Sequence, residues 1–131
     1  MVKQSGWDID LVFGEKYEKA IKDIFEGKGK IEIKTERDKW KTTGNIVIEV
    51  EHNGLNSGLT ITQADWWLHN LTLDGDIVMA FLIPVKQLKR MVIKALTNEK
   101  AILTKGGDDN KATIVLLPIN YLTEVIYDEN G

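Results

Sequence analysis

The sequence predicts a mixed α/β fold, a sheet with helices packed against it. Three observations point there. The apolar spacing is helical in two segments, 15–26 and 85–97. It falls to a period of two at 31–34 and 46–50. A continuous apolar run at 77–85 is bounded by a turn and a proline, as a buried strand would be. The predicted order is helix, hairpin, helix, strand, helix, strands.

Taken in order, residues 7–13 (WDIDLVF) read as a short strand or an anchoring segment. From Glu15 to Glu26 the residues Tyr17, Ala20, Ile21, Ile24 and Phe25 form one apolar stripe, and Gly27 and Gly29 end the helix. Ile31 and Ile33 then alternate with charges, as do Ile46, Ile48 and Val50. The short connection KWKTTG and the turn chemistry of Gly44-Asn45 suit a hairpin. NGLNSG at 53–58 is a loop. Thr60 or Thr62 is positioned to cap a helix running to about residue 71, with an aromatic side turned inward. Asp74-Gly75 is a turn. In the 85–97 helix, Leu88, Met91, Val92, Ala95 and Leu96 form the inner face. Residues 101–104 and 112–119 read as two strands joined by KGGDDNK, and 120–127 as a short closing helix.

The bulk numbers set outer bounds. A chain of 131 residues fits one domain, here 1–131. No run of about 18 apolar residues suggests a membrane helix. The start of the chain lacks the apolar segment of a signal peptide, so an intracellular setting is expected. Without cysteines there are no disulfides and no thiolate metal sites. The net charge of −3 does not advertise nucleic-acid binding, but a local basic face or a carboxylate metal site is compatible with it.

The hairpin expectation has a chemical consequence. Strand side chains alternate faces. If the isoleucines share a core, Glu32, Lys34, Glu49 and Glu51 share the opposite face. Gathered carboxylates repel unless a cation compensates, and oxygen-only ligands favour Mg²⁺ or Mn²⁺. A lysine beside such a site can activate water or neutralise developing charge. A solvated face of cross-strand Glu–Lys pairs is the other reading of the same pattern.

The string DLVFGEKYE…IEIKTERD…TGNIVIEVE…SGLTITQADWW resembles small phage-type members of the PD-(D/E)XK superfamily of nucleases and resolvases, over roughly residues 8–83. The resemblance implies a restriction-endonuclease-like core, with a central mixed β-sheet flanked by helices. It also implies a Mg²⁺- or Mn²⁺-dependent DNA nuclease, an endonuclease working as a homodimer.

Two alignments follow from the resemblance. In one, Glu32-Ile33-Lys34 is the acid-x-Lys motif, Asp10 is the upstream acid and Glu49 is an added ligand. In the other, Glu32 replaces the first strand's aspartate, Glu49-Val50-Glu51 takes the acid-x-Lys place, and Lys34 has migrated to the neighbouring strand. Both put Glu32 and Glu49 at the metal with Lys34 nearby. Glu18, on the first helix, is implied as a further metal ligand. Gln63 of QADWW is implied to touch the scissile phosphate or a metal-bound water.

Candidate DNA contacts are Lys39, Lys41 and Thr42 at the hairpin tip, where Trp40 suits an unpaired base, and Ser57 and Thr60 through loop amides. Lys86, Lys89, Arg90 and Lys94 form a second basic track or a solvated face. His52 and His69 lack metal spacing and read as structural or incidental. The runner-up function is a non-catalytic nucleic-acid- or protein-binding module.

Overall fold

A computed structural model describes residues 6–124, with side chains from residue 12 onward. The chain opens with α1 (Gly6–Phe25). The strand expected at 7–13 is helical instead, because elongation adds one hydrogen bond per residue fixed and carries the helix through that segment. The expected stripe is buried only at Ile24, while Tyr17 is 50% and Phe25 81% exposed.

The strands form two sheets rather than one central sheet. β1 (Ile31–Glu36), β4 (Trp66–Leu73) and β5 (Asp76–Pro84) form a three-stranded mixed sheet in the order β1-β4-β5. β1 runs parallel to β4, and β5 antiparallel to it. β2 (Asn45–His52), the short β3 (Leu55–Asn56), β6 (Ile102–Gly106) and β7 (Ala112–Pro118) form a four-stranded antiparallel sheet in the order β3-β2-β7-β6.

The expected hairpin is therefore absent: β1 and β2 belong to different sheets. The reason lies in the connection. Lys39–Thr43 forms a turn of helix, α2, closed by Gly44 at φ 73°, whose N–H bonds the Trp40 carbonyl at 2.8 Å. A left-handed residue at that place ends a helix cheaply only as glycine. The helical turn redirects the chain, and each strand finds a distant partner with more apolar surface. Ile46 and Ile48 sit opposite Leu117 and Val115, and all four are buried.

The helix expected over 61–71 is also overturned, because 66–73 is a strand. As the middle strand of its sheet it buries the Trp67, His69 and Leu71 face and half-buries the other. Its sequence, WWLHNLTL, carries apolar residues on both faces and so lacks a clean alternation, which suits strand and helix alike. The strand at 76–84, the helix α3 (Val85–Thr97), β6 and β7 fall close to their expected positions. The strand is not the buried one expected, because β5 is an edge strand and its first half faces outward, with Ile77 62%, Val78 50% and Met79 51% exposed. α4 (Ile119–Glu124) closes the described chain, and the rest of the expected 120–127 helix lies outside the described residues.

One core joins these parts. Ile46, Ile48, Val115 and Leu117 come from the four-stranded sheet, Trp67 and Leu71 from the other. Leu88, Val92 and Ala95 come from α3, and Tyr121 and Leu122 from α4. Among the described residues no helix is long and apolar enough to cross a membrane.

Candidate functional site

On β1 the expected orientation is inverted. Glu32, Lys34 and Glu36 pair in register with Trp67, His69 and Leu71, so they share the face of three fully buried side chains. Ile31 and Ile33 occupy the other face, and Ile33 is 55% exposed. Trp67 and Leu71 offer more apolar area than the two isoleucines, so β4 decides which face turns inward. Lys34 lies at the sheet edge with Nζ 5.9 Å from the centre of the Trp67 ring, a cation–π arrangement over the core.

On β2 the isoleucines do point inward, but a bulge between Glu49 and Glu51 breaks the alternation. Glu49 sits opposite Ile114 and Glu51 opposite Thr113, so the two acids lie beside residues on alternate faces of β7. Each acid has its own partner. The Ser57 hydroxyl donates to Glu49 Oε2 at 2.8 Å. The Thr113 hydroxyl lies 3.5 Å from Glu51 Oε1, and Lys105 Nζ lies 4.0 Å from the same oxygen. Thus Glu32 and Lys34 stand on one sheet, Glu49 and Glu51 on the other, and the four do not share a face.

The remaining expected residues are dispersed. Glu18 is exposed on α1. Asp10 lies within α1, and its side chain is outside the described residues. Ser57 and Thr60 close a short turn at 58–60. Ser57 N–H donates to Thr60 Oγ1 at 3.1 Å, Thr60 N–H donates to the Ser57 carbonyl at 3.1 Å, and the Thr60 hydroxyl lies against the Val50 and Ser57 carbonyls. The Ser57 amide is therefore spent on the Thr60 hydroxyl and the Val50 carbonyl of β2, and the Thr60 amide on Ser57, so neither is offered to a phosphate. Gln63 is exposed and lines a hollow of about 460 Å³ with Thr62, Lys86 and Lys89, on the α3 side of the chain. Lys39, Lys41 and Thr42 are exposed on α2.

Among the described residues no three His, Cys, Asp or Glu side chains lie close enough to hold a metal ion. Glu32 and Glu49, on separate sheets and with Glu49 engaged by Ser57, do not fit a shared divalent ion in this arrangement.

Glu36, which the sequence did not single out, and His69, read there as structural or incidental, stand with Trp67 at the junction of the sheets. The indole N–H of Trp67 donates to His69 Nδ1 at 3.1 Å. Indole nitrogen only donates, so Nδ1 accepts and the ring proton sits on Nε2. That nitrogen lies 3.0 Å from Glu36 Oε1, to which it donates. The same oxygen accepts the backbone N–H of Val47, on β2. Trp67, His69 and Glu36 thus form a directed chain from the core to the point where the sheets meet. His69 is 1% exposed, and the Glu36 side chain 15%. The only sequence sign of this pairing was parity: Trp67 and His69 share a face only if 66–73 is a strand.

Glu36 also lines a groove of about 410 Å³ with Lys39, Trp40, Thr43 and Asn45 on one side and Thr104, Gly106, Ile114 and Leu116 on the other. Fold and site together describe a mixed α/β chain with two sheets and an oriented carboxylate at their junction. Comparison with known proteins gave no match to a family model, to a curated protein or to a solved structure.

Proposed function

We propose that this chain acts on nucleic acid, as a DNA nuclease of PD-(D/E)XK type that hydrolyses phosphodiester bonds, with the restriction-endonuclease-like core and the homodimer that the resemblance implies, in the intracellular setting expected from composition. The observation that supports it most is the Glu36–Val47 contact, which joins β1 to β2. Lys34 lies two residues before that joint and Glu49 two residues after it. At about 3.3 Å per strand residue, each Cα is within about 7 Å of the joint along its own strand. Lys34 and Glu49, two of the residues named by the resemblance, are thus near one joint, although 37–44 does not form the expected hairpin turn and the other named residues lie farther off.

The carboxylates do not form a closed ligand set here, so no catalytic step is assigned to Mg²⁺ or Mn²⁺. The roles of Glu32, Lys34, Glu49, Glu51 and Gln63 remain those of the proposal. A second reading has its own support. Glu49 and Glu51 are each satisfied by local partners, Ser57 for the first and Thr113 with Lys105 for the second, which is what a non-catalytic nucleic-acid-binding module would show.

Incubation with supercoiled, linear, single-stranded and branched DNA, with Mg²⁺ or Mn²⁺ and with EDTA, tests the proposal. Metal-dependent cleavage is expected, reduced at least about 100-fold in Glu32→Ala and Glu49→Ala. Cleavage untouched by both substitutions removes these residues from the site. DNA binding without cleavage selects the binding module.

A further inference from the structure

The groove at the sheet junction has a polar group whose bonding is half complete. Glu36 Oε1 accepts two N–H donors, from His69 and Val47. Oε2 has no protein donor among the described residues, although the side chain is only 15% exposed and lines the groove. Every buried side-chain nitrogen or oxygen among the described residues has a partner, so this oxygen is open to solvent in the groove, and an acceptor so placed favours a ligand that brings an N–H group.

The rest of the lining narrows the ligand. Trp40, Val47, Ile114 and Leu116 supply apolar walls. The Trp40 indole is fixed before any ligand arrives, because its N–H donates to the Thr72 carbonyl at 2.8 Å. A fixed aromatic ring in an open groove suits a flat ring ligand. Lys39 lines the same side and can meet a phosphate. Lys105 also lines the groove, but its ammonium donates to Thr113 at 2.8 Å and lies 4.0 Å from Glu51. A groove of about 410 Å³ falls in the range of small-ligand pockets and accommodates about one nucleotide.

We infer that this groove binds an unpaired nucleobase bearing an exocyclic amine, cytosine being the simplest case, with Glu36 Oε2 accepting the amine and Lys39 facing the strand's phosphate. The inference rests on the nucleic-acid reading above and deepens it to a base preference in single-stranded substrate. His69 is a positioning residue: it holds Oε1 so that Oε2 faces the ligand. Thymine presents a carbonyl where cytosine presents the amine, so the same oxygen repels it.

The hydrogen-bond directions make the test sharp. In Glu36→Gln the amide oxygen must take the place of Oε1, because His69 and Val47 both donate there. The amide nitrogen then replaces Oε2 and turns an acceptor into a donor. Binding of labelled oligo-dC and oligo-dT of equal length is measured by fluorescence anisotropy in EDTA, so that no cleavage intervenes. Wild type is expected to bind oligo-dC about tenfold more tightly than oligo-dT. Glu36→Gln is expected to erase or reverse that ratio, and Lys39→Ala to weaken both oligonucleotides equally.

Equal binding of the two oligonucleotides by wild type overturns the inference, whether or not DNA is cleaved with metal. So does a dC preference that survives in Glu36→Gln. Absence of binding to either oligonucleotide overturns it as well, and metal-dependent cleavage of duplex DNA under the previous test then leaves the nuclease reading standing.

Discussion

Glu36 serves two sheets with one oxygen. Its Oε1 meets His69 from β4 and the Val47 amide from β2, so the side chain stitches together strands that share no ladder. Of the two donors His69 is buried and the Val47 contact is exposed, so the desolvation cost of losing the acceptor, about 1–3 kcal/mol, falls at His69. Glu36→Ala is therefore expected to lower stability by about 1–3 kcal/mol in urea unfolding, and Glu36→Gln, which keeps an acceptor, by less than about 1 kcal/mol. Equal losses for both variants would show that the junction depends on charge and not on the accepted bonds. At this scale the sequence was informative in part. Glu32, Lys34 and Glu36 alternate visibly, but nothing local tells an acid on an outer face from one beside buried Trp67 and His69, since that depends on the partner strand.

Among the elements, the turn at 58–60 shows how tightly β2 is held. Leu59 is buried, and Ser57 on its near side bonds Glu49. Gly58 has φ +52°, and a Cβ there would overlap the Glu49 carbonyl oxygen. Glycine is needed at this position for both its conformation and its close approach to the strand. Gly58→Ala is expected to cost about 2–3 kcal/mol and to disturb the Glu49–Ser57 pair, read as a lower denaturation midpoint with an unchanged m-value. α3 was legible from sequence because its apolar positions follow one clear helical period and Leu88, Met91, Val92 and Ala95 are buried. β4 was not, because apolar residues on both of its faces, one buried and one half-buried, remove the alternation that would identify it.

Across the whole molecule, the two sheets share one core with α3 between distant parts of the chain. Leu88, fully buried on α3, belongs to the same cluster as Trp67 of one sheet and Ile46 of the other. If the chain is a single domain, both sheets lose their packing in one transition. Leu88→Ala is expected to cost about 2–5 kcal/mol, with far-ultraviolet circular dichroism and tryptophan fluorescence still superimposing across the unfolding curve. Two separated transitions would mean that the sheets fold independently.

The sequence by itself determined the mixture of helices and strands, the positions of α3, β5, β6 and β7, and the inward set of Ile46, Ile48 and Leu88. These follow from periodicity, which each segment carries in its own residues. Only the tertiary structure decided that β1 leaves β2 for β4, that 66–73 extends instead of coiling, and that Glu36 meets His69. Strand pairing is a competition among partners far apart in the chain, settled by the apolar area each pairing buries, and no local pattern records its outcome.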